Sequence, residues 1–568
     1  DWLELRRTPG VGAWLQLAAA LLWLPQAALL AWAVQQMADG VPMRNLLAAA
    51  AGVLALGLLR AWCEGEGVLR AHRAARAVLS RLRAQVAQSL AQASPLDKAR
   101  PPSGQAASAM AEQAEAVVPW LARYQSAMWR VRVAPLAIVA TVASQTWVAA
   151  LILVVSAPLI PLFMAIVGWR ARAASEEQLV EMGGMNAFLL DRLRGLGTLR
   201  ALGAVDASAL RLRSHAEALR QRTLRVLRIA FLSSAVLELF SALGVAMVAV
   251  YVGFHLLGVL PFGAWGRGLN LGQALFVLLL APAFFEPLRD LSAVWHDRAA
   301  GEAALKTLNA LCEQATPVVG GIDALLESEH AARAGAASVE VFDLSVQAPG
   351  SEARLAPLNL RIAAGEHVAL WSPSGSGKSV LLAQLAGLVP VAQGRVRIDG
   401  QPLNAETAVA LRARMAWMGQ QFHVFAGSVR RNVALGRPHV GPAEVRAAAG
   451  QAALGAVLQA RAGISLGEGG SGLSGGEMVR LALARLAVNQ EAGLLLVDEP
   501  TAHLDPDTAG QVTEALLRIA KGRTLIVATH DAQLAQRMDR VLRLPLRAGA
   551  APSVGVSERL PALEGEAA

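Results

Sequence analysis

The sequence predicts a multidomain membrane protein: an all-α membrane half with six spans, followed by a soluble α/β half. Three observations predict it. The chain has 568 residues, too many for one compact core. Hydrophobic residues make up 54% and charged residues 17%, the balance of a membrane class. The apolar runs crowd the first half, and the second half reads like an ordinary soluble α/β protein.

A span needs about 20 apolar residues. We expect spans at about 11–37, 46–62, 117–144, 147–167, 229–257 and 271–288. The first begins after Asp1-Trp2-Leu3-Glu4, without a signal peptide's charge order or cleavage site, and is read as a retained span. The third is the weakest, strongest over Val131–Ser144 and reaching back to Val117. Pro158 and Pro161 kink the fourth, which neighbouring helices tolerate. The stretch 170–228 is too rich in arginine to span and projects into the cytoplasm.

Net charge is +9. A basic chain suggests a nucleic-acid binder, but these arginines cluster beside apolar runs, at Arg70, Arg73, Arg76, Arg81 and Arg83 and from Arg192 to Arg228. That is the positive-inside pattern. No nucleic-acid-binding motif accompanies it, so nucleic acid is excluded as a partner. The rule places the N-terminus and the loops at 63–116 and 170–228 inside, and the loops near Gly40, Gln145 and Trp265 outside. Six runs with consistent charge flanks argue against buried helices of a large soluble protein. Cys63 and Cys312 are far apart in sequence and form no disulfide framework; both are read as buried, inert thiols. Within the spans, Gln26, Gln35, Gln36, Glu238, Tyr251 and His255 are polar. Such groups often face a cavity, but helix-to-helix hydrogen bonding is the reading preferred for each.

From Ser338 the texture changes. Val339–Val346 alternates as a strand does. After a second apolar strand, His367–Trp371, comes Ser372-Pro373-Ser374-Gly375-Ser376-Gly377-Lys378-Ser379, then a helix beginning at Val380. This is a phosphate-binding loop in a strand–loop–helix setting. Glycine lets backbone N–H groups turn inward, Lys378 adds charge at the β- and γ-phosphates, and the Ser379 hydroxyl ligates magnesium. Ser374, Gly375, Ser376, Gly377, Lys378, Ser379 and Val380 are the expected nucleotide-binding residues. Ser372 stands where the first glycine belongs, at a position that shapes the turn, and Val380 where a hydroxyl residue is common. Leu494-Leu495-Leu496-Val497 is a buried strand ending in Asp498-Glu499. Asp498 is placed to hold magnesium and Glu499 to polarise the attacking water as general base.

Leu473-Ser474-Gly475-Gly476-Glu477 opens an arginine-bearing helix through Arg480 and Arg485, and resembles the signature sequence of ABC ATPases. Glu477 stands where Gln is commoner. The resemblance implies that Ser474, Gly475, Gly476 and Glu477 form a second anion site, closing on ATP held by another subunit. It also implies that Gln420 senses magnesium, also as a metal-site residue, and contacts the membrane domain. His530 is the implied switch residue at the γ-phosphate, and Leu466–Gly470 a loop reaching the partner's membrane helices. The aromatic that stacks on adenine in the family is missing near Gln347 and Ala348, which predicts reduced nucleotide affinity unless a neighbouring side chain substitutes.

The membrane half narrows the resemblance. Phe188–Gly195, Ala157–Met164, Arg225–Ser234 and Phe284–Leu291 resemble the CydD family, one subunit type of the heterodimeric CydDC transporters of the bacterial inner membrane. That implies a type IV ABC exporter fold: a six-helix transmembrane domain over 1–316, a linker over 317–337, an ABC nucleotide-binding domain over 338–550 and a tail over 551–568. It implies ATP and magnesium as cofactors, a CydC-like partner in the bilayer, coupling helices near 107–116 and 198–208, and support of cytochrome bd assembly. The transported substrate is left open between cysteine or glutathione and haem, with a lipid or drug flippase as a further alternative. Haem needs an apolar slot and an axial ligand. His72 and His255 are the candidates, and a structural role is the reading preferred for both.

Overall fold

The structure is a computed structural model. It describes the chain except residues 1–9, 43–45, 98–99, 102, 159–184, 186–187, 190, 194, 267, 314–315, 322–334, 351–356, 374, 438, 461–464, 468–469, 471 and 545–568. The described chain forms two compact units, 1–83 with 107–308, and 84–106 with 309–568.

The first unit is helical. Its principal helices are α1 (Val11–Leu21), α2 (Trp23–Ala38), α3 (Leu47–Gln92, whose last residues belong to the second unit), α4 (Gln125–Gln145), α5 (Trp147–Ser156), α6 (Val205–Leu256), α7 (Leu271–Ala293) and α8 (Trp295–Glu313). Among the described residues, five helical stretches are long and apolar enough to cross a membrane: Val11–Ala38, Leu47–Gln92, Ala106–Gln145, Ala235–Leu256 and Leu271–Glu313. Trp147–Ser156 is a shorter apolar helix, and the rest of the span expected at 147–167 lies outside the described residues, as does the expected tail. A capping box starts α7: Asn270 accepts from the Gln273 backbone N–H while the Gln273 side chain accepts from that of Asn270. The core gathers Ile138, Val142, Leu153, Val248, Val277 and Phe285 from four helices. Gly244 of α6 lies against the Phe285 ring of α7, where a Cβ would collide. On α6 the residues Leu239, Leu243, Met247 and Val250 form an exposed apolar stripe.

Several polar residues of the spans are used in packing. Gln26 donates to the Val53 carbonyl at 3.3 Å, and Gln35 accepts from the Gly272 backbone at 2.8 Å. Tyr251 donates to the Phe262 carbonyl and meets the Thr146 hydroxyl, each at 3.0 Å. His255 has both ring nitrogens engaged, Nδ1 with the Leu260 carbonyl at 2.8 Å and Nε2 accepting from the Leu269 backbone at 3.2 Å. Glu238 is exposed.

The second unit holds two sheets. One is antiparallel, in the order β2 (Leu358–Ile362), β1 (Val339–Leu344), β4 (Arg395–Ile398), β5 (Gln401–Pro402). The other has five strands in the order β6 (Met415–Met418), β7 (Leu494–Asp498), β8 (Thr524–Thr529), β3 (His367–Trp371), β9 (Arg540–Arg543), with every pair parallel. All residues of β7 and β8 are buried, which explains why these strands read as unbroken apolar runs rather than alternating ones. The end of α3 is stitched to the chain that leaves α8: the Ser94 backbone donates to Thr316 at 2.8 Å, and that of Thr316 to the Asp97 carboxylate at 2.7 Å. Cys63 is buried, whereas Cys312 is only partly buried.

Candidate active site

Parallel strands carry their loops out of one edge of the sheet, so residues distant in sequence meet there. Gln420 follows β6, Asp498 ends β7 and Glu499 follows it, His530 follows β8, and the phosphate-binding loop follows β3. These four strands are neighbours in the sheet, and the fold therefore converges these side chains.

They meet on Glu499. Gln420 Nε2 donates to Glu499 Oε2 at 3.4 Å, His530 Nδ1 lies 3.4 Å from Glu499 Oε1, and Lys378 Nζ lies 3.7 Å from that same oxygen. The Glu499 side chain is 10% exposed and His530 59%, so the carboxylate sits at the base of the site and the imidazole at its rim. Glu499 has φ 47°, a left-handed conformation rare for a side-chain-bearing residue. Its backbone N–H, bonded to Ala528 O at 2.8 Å, holds it there. Such strain is concentrated at functional sites.

The phosphate-binding loop wraps its own lysine. Lys378 Nζ donates to the carbonyls of Ser372 at 2.5 Å and Pro373 at 3.0 Å. Gly377 has φ 88°, which requires glycine, whereas Ser372 has an ordinary φ and is tolerated where the family has glycine. Ser376 is buried, Val380 packs against the core, and Ser374 lies outside the described residues. Asp498 is buried, and burial raises its carboxyl pKa despite a hydrogen bond from Ser379. Its Oδ1 has no hydrogen-bond partner among the described residues. A buried, orphaned carboxylate oxygen beside a serine hydroxyl fits a hard cation such as magnesium.

The Ser474 turn is a separate piece of architecture. Ser474 is the N-cap of helix α9 (Gly475–Ala487): its hydroxyl accepts from the Glu477 backbone at 3.3 Å, and Glu477 Oε2 accepts from the Ser474 backbone at 2.7 Å. This capping box explains Glu477, since Glu and Gln serve it equally. A Cβ at Gly476 would meet Thr508 Cγ2 at 2.7 Å, while one at Gly475 would meet nothing within 4 Å. Among the described residues, no hydrogen bond or ion pair joins this turn to Lys378, Glu499 or His530. Arg485 braces the helix against the segment after Gln420, donating to the carbonyls of His423 at 2.8 Å and Asn432 at 2.9 Å.

Sequence reasoning missed Thr501 and Asp531. The Thr501 hydroxyl donates to Asp531 Oδ2 at 2.8 Å, tying the exit of β7 to the residue after His530. An acidic residue directly after a site histidine was the available signal.

Comparison with known proteins decides the family. An ABC transporter transmembrane region matches residues 20–288 and an ABC transporter model matches residues 355–502. The chain is 35% identical over 536 residues to the glutathione/L-cysteine transport system ATP-binding/permease protein CydD of Escherichia coli (strain K12), covering 93% of this chain and 89% of that one. This chain belongs to the CydD family of ABC transporter subunits. It is also 29% identical to the corresponding CydC protein of Bacillus subtilis (strain 168), over 72% of this chain and 70% of that one. In fold it is similar to a bacterial Atm1-family ABC exporter with ATP bound, at a TM-score of 0.74 and 22% identity over 94% of this chain and 93% of that chain. The CydD-family chain is accordingly an ATP-hydrolysing transporter subunit, multi-pass in the bacterial inner membrane, with its ATPase domain in the cytoplasm.

Proposed function

We propose that this chain pairs with a CydC-like subunit and couples ATP hydrolysis to export of cysteine or glutathione across the inner membrane, supporting cytochrome bd assembly. The observation that carries the motor reading is the convergence of Gln420, Lys378 and His530 on Glu499, with the Ser474 turn bonded elsewhere. In this reading Lys378 and the loop N–H groups grip the phosphates. Glu499 accepts the proton of the attacking water, and Gln420 and His530 hold its carboxylate in position. Asp498 and Ser379 hold magnesium, which neutralises phosphate charge when bound. The glycine turn of a second subunit then caps the nucleotide, and Ser474–Glu477 caps the partner's. Residues 107–116 and 198–208 act as the coupling helices.

The names of the relatives support a thiol substrate. The haem reading of the same heterodimer loses one of its two ligand candidates, since both ring nitrogens of His255 are engaged; it would rest on His72. The test is the ATPase rate of the purified heterodimer in lipid nanodiscs with glutathione, cysteine or haem, reading haem absorbance on the same sample. Thiol stimulation without a haem absorbance shift is expected. Stimulation by haem alone, with a shifted absorbance band, would overturn the reading.

A further inference from the structure

The first unit contains a cavity of about 770 Å³ between α1–α2, α3, α4 and α7, lined by Arg60, Glu64, Arg130, Glu286, Arg289 and Asp290. Its volume suits a small-molecule site. Three cations and three anions facing one cavity in an apolar helix bundle is costly unless they work on something. Part of the set is self-paired: Arg130 lies 3.3 Å from Asp290 and 3.8 Å from Glu64. Arg60 is held over the Trp23 ring, 5.1 Å from its centre. Glu286 and Arg289 are exposed on α7 and, with Arg60, make no ion pair among the described residues.

A second cavity of about 320 Å³ shares Glu64, Arg130 and Asp290 with the first. It is lined further by Gln16, His72, Arg123 and Val294. Along each helix these lie toward the ends that the charge rule places in the cytoplasm. The larger cavity extends the other way, to Trp23, Ile138 and Leu278. The Arg130 bridge thus lines both cavities, the smaller toward the cytoplasmic ends of the helices and the larger away from them. Arg130 Nε is buried with no hydrogen-bond partner among the described residues, so the guanidinium keeps a donor to spare.

We propose that the larger cavity binds a small amphoteric solute, an amino acid or short peptide. A carboxylate of the solute engages Arg60 or Arg289 and its ammonium engages Glu286, and on export the solute reaches this cavity from the smaller one when Arg130 exchanges Glu64, the looser of its two partners, for the solute's carboxylate. Opposite charges at fixed separations suit a zwitterion and discriminate against a purely apolar cargo. The identity of the solute as a thiol compound rests on the reading above; the site itself rests on the cavity and its charges.

The test uses the full-length chain with Cys63→Ala and Cys312→Ser, assembled with a cysteine-free partner in nanodiscs. Ala283→Cys, and Ala20→Cys as a second reporter should the first fail to fold, line the cavity. Ala149→Cys, in the fully buried apolar core, is the dry reference. A charged methanethiosulfonate is expected to modify the cavity cysteines at least about tenfold faster than the reference, as hydrated sites permit. S-methylglutathione, which keeps the charged groups and cannot consume the reagent, should slow that modification. Arg60→Gln or Arg289→Gln should raise its half-protecting concentration about fivefold or more, the scale of one lost charge-assisted contact. Modification no faster than in the core overturns the site. Fast modification without protection, while glutathione still stimulates the wild-type ATPase, overturns the site and leaves the thiol reading standing. Absence of both protection and stimulation overturns the thiol reading and the solute assignment with it.

Discussion

Glu499 is held by its backbone as much as by its neighbours. Its left-handed φ aims the carboxylate at Gln420, Lys378 and His530. Glu499→Gln preserves size and removes the proposed base, so the heterodimer's ATPase rate should fall by about 10²–10⁴-fold with nucleotide binding retained. Steady-state turnover beside nucleotide affinity checks this, and unchanged turnover would show that this site is not the motor. Asp498 supplies a pH prediction. Burial holds its pKa above the ordinary aspartate value, so its contribution to stability is full at low pH and is lost as pH rises through the raised pKa. In the proposed site, magnesium bound at Asp498 takes the proton's place. The thermal shift that magnesium adds to the nucleotide-bound complex should therefore grow as pH rises through that raised pKa; a shift that shrinks as pH rises would contradict it. A third expectation concerns adenine: Ala348→Tyr should tighten ATP binding by about 1 kcal/mol or more if the missing stacking residue limits affinity, read by titration with a fluorescent nucleotide. At this scale the residues around Glu499 were legible because each sits in a short local motif. The charges of the membrane cavity were not, because Arg60, Glu64, Glu286 and Asp290 fall near span ends, where charge reads as ordinary flanking. Their spacings of four on α3 and α7 place each pair on one helix face, which was the signal available.

The elements divide into those fixed locally and those fixed by packing. The capping box at Ser474 was fully local, a serine followed three residues on by Glu477. Ser474→Ala should destabilise the domain by about 1 kcal/mol, measurable by denaturant unfolding. The two glycines beside it separate by mechanism. Gly476→Ala drives a methyl into Thr508 and should cost about 1–3 kcal/mol. Gly475→Ala meets open space and should leave stability intact while lowering the heterodimer's ATPase, if that space receives the partner's nucleotide. Equal stability loss in both would refute the distinction. The buried strands β7 and β8 were readable as apolar runs. The π-helical turn at Trp120–Tyr124 was not, because it answers to tertiary contact: a Cβ at Gly301 of α8 would strike the Trp120 side chain. Likewise the approach of α6 to α7 at Gly244 depends on the Phe285 ring, which no local pattern reveals.

For the whole molecule, the fold class was legible because two strong periodicities sit in series, long apolar runs and then strand–loop–helix units around a phosphate-binding loop. Charge flanks gave the orientation, and the family match agrees with the fold. Substrate was illegible for a physical reason: recognition is spread over side chains from several helices and acts through the cavity they enclose, so no contiguous motif encodes it. Assembly is the property on which the mechanism turns. The unengaged face of Gly475 leaves room for contact with something beyond this chain. The most direct measurement is ATP turnover by the isolated chain, held monomeric in single nanodiscs and verified by mass, beside the assembled heterodimer at equal site concentration. The account predicts near-background turnover for the lone chain and restoration on adding the partner; full turnover by a strict monomer would contradict a nucleotide pocket completed by two polypeptides.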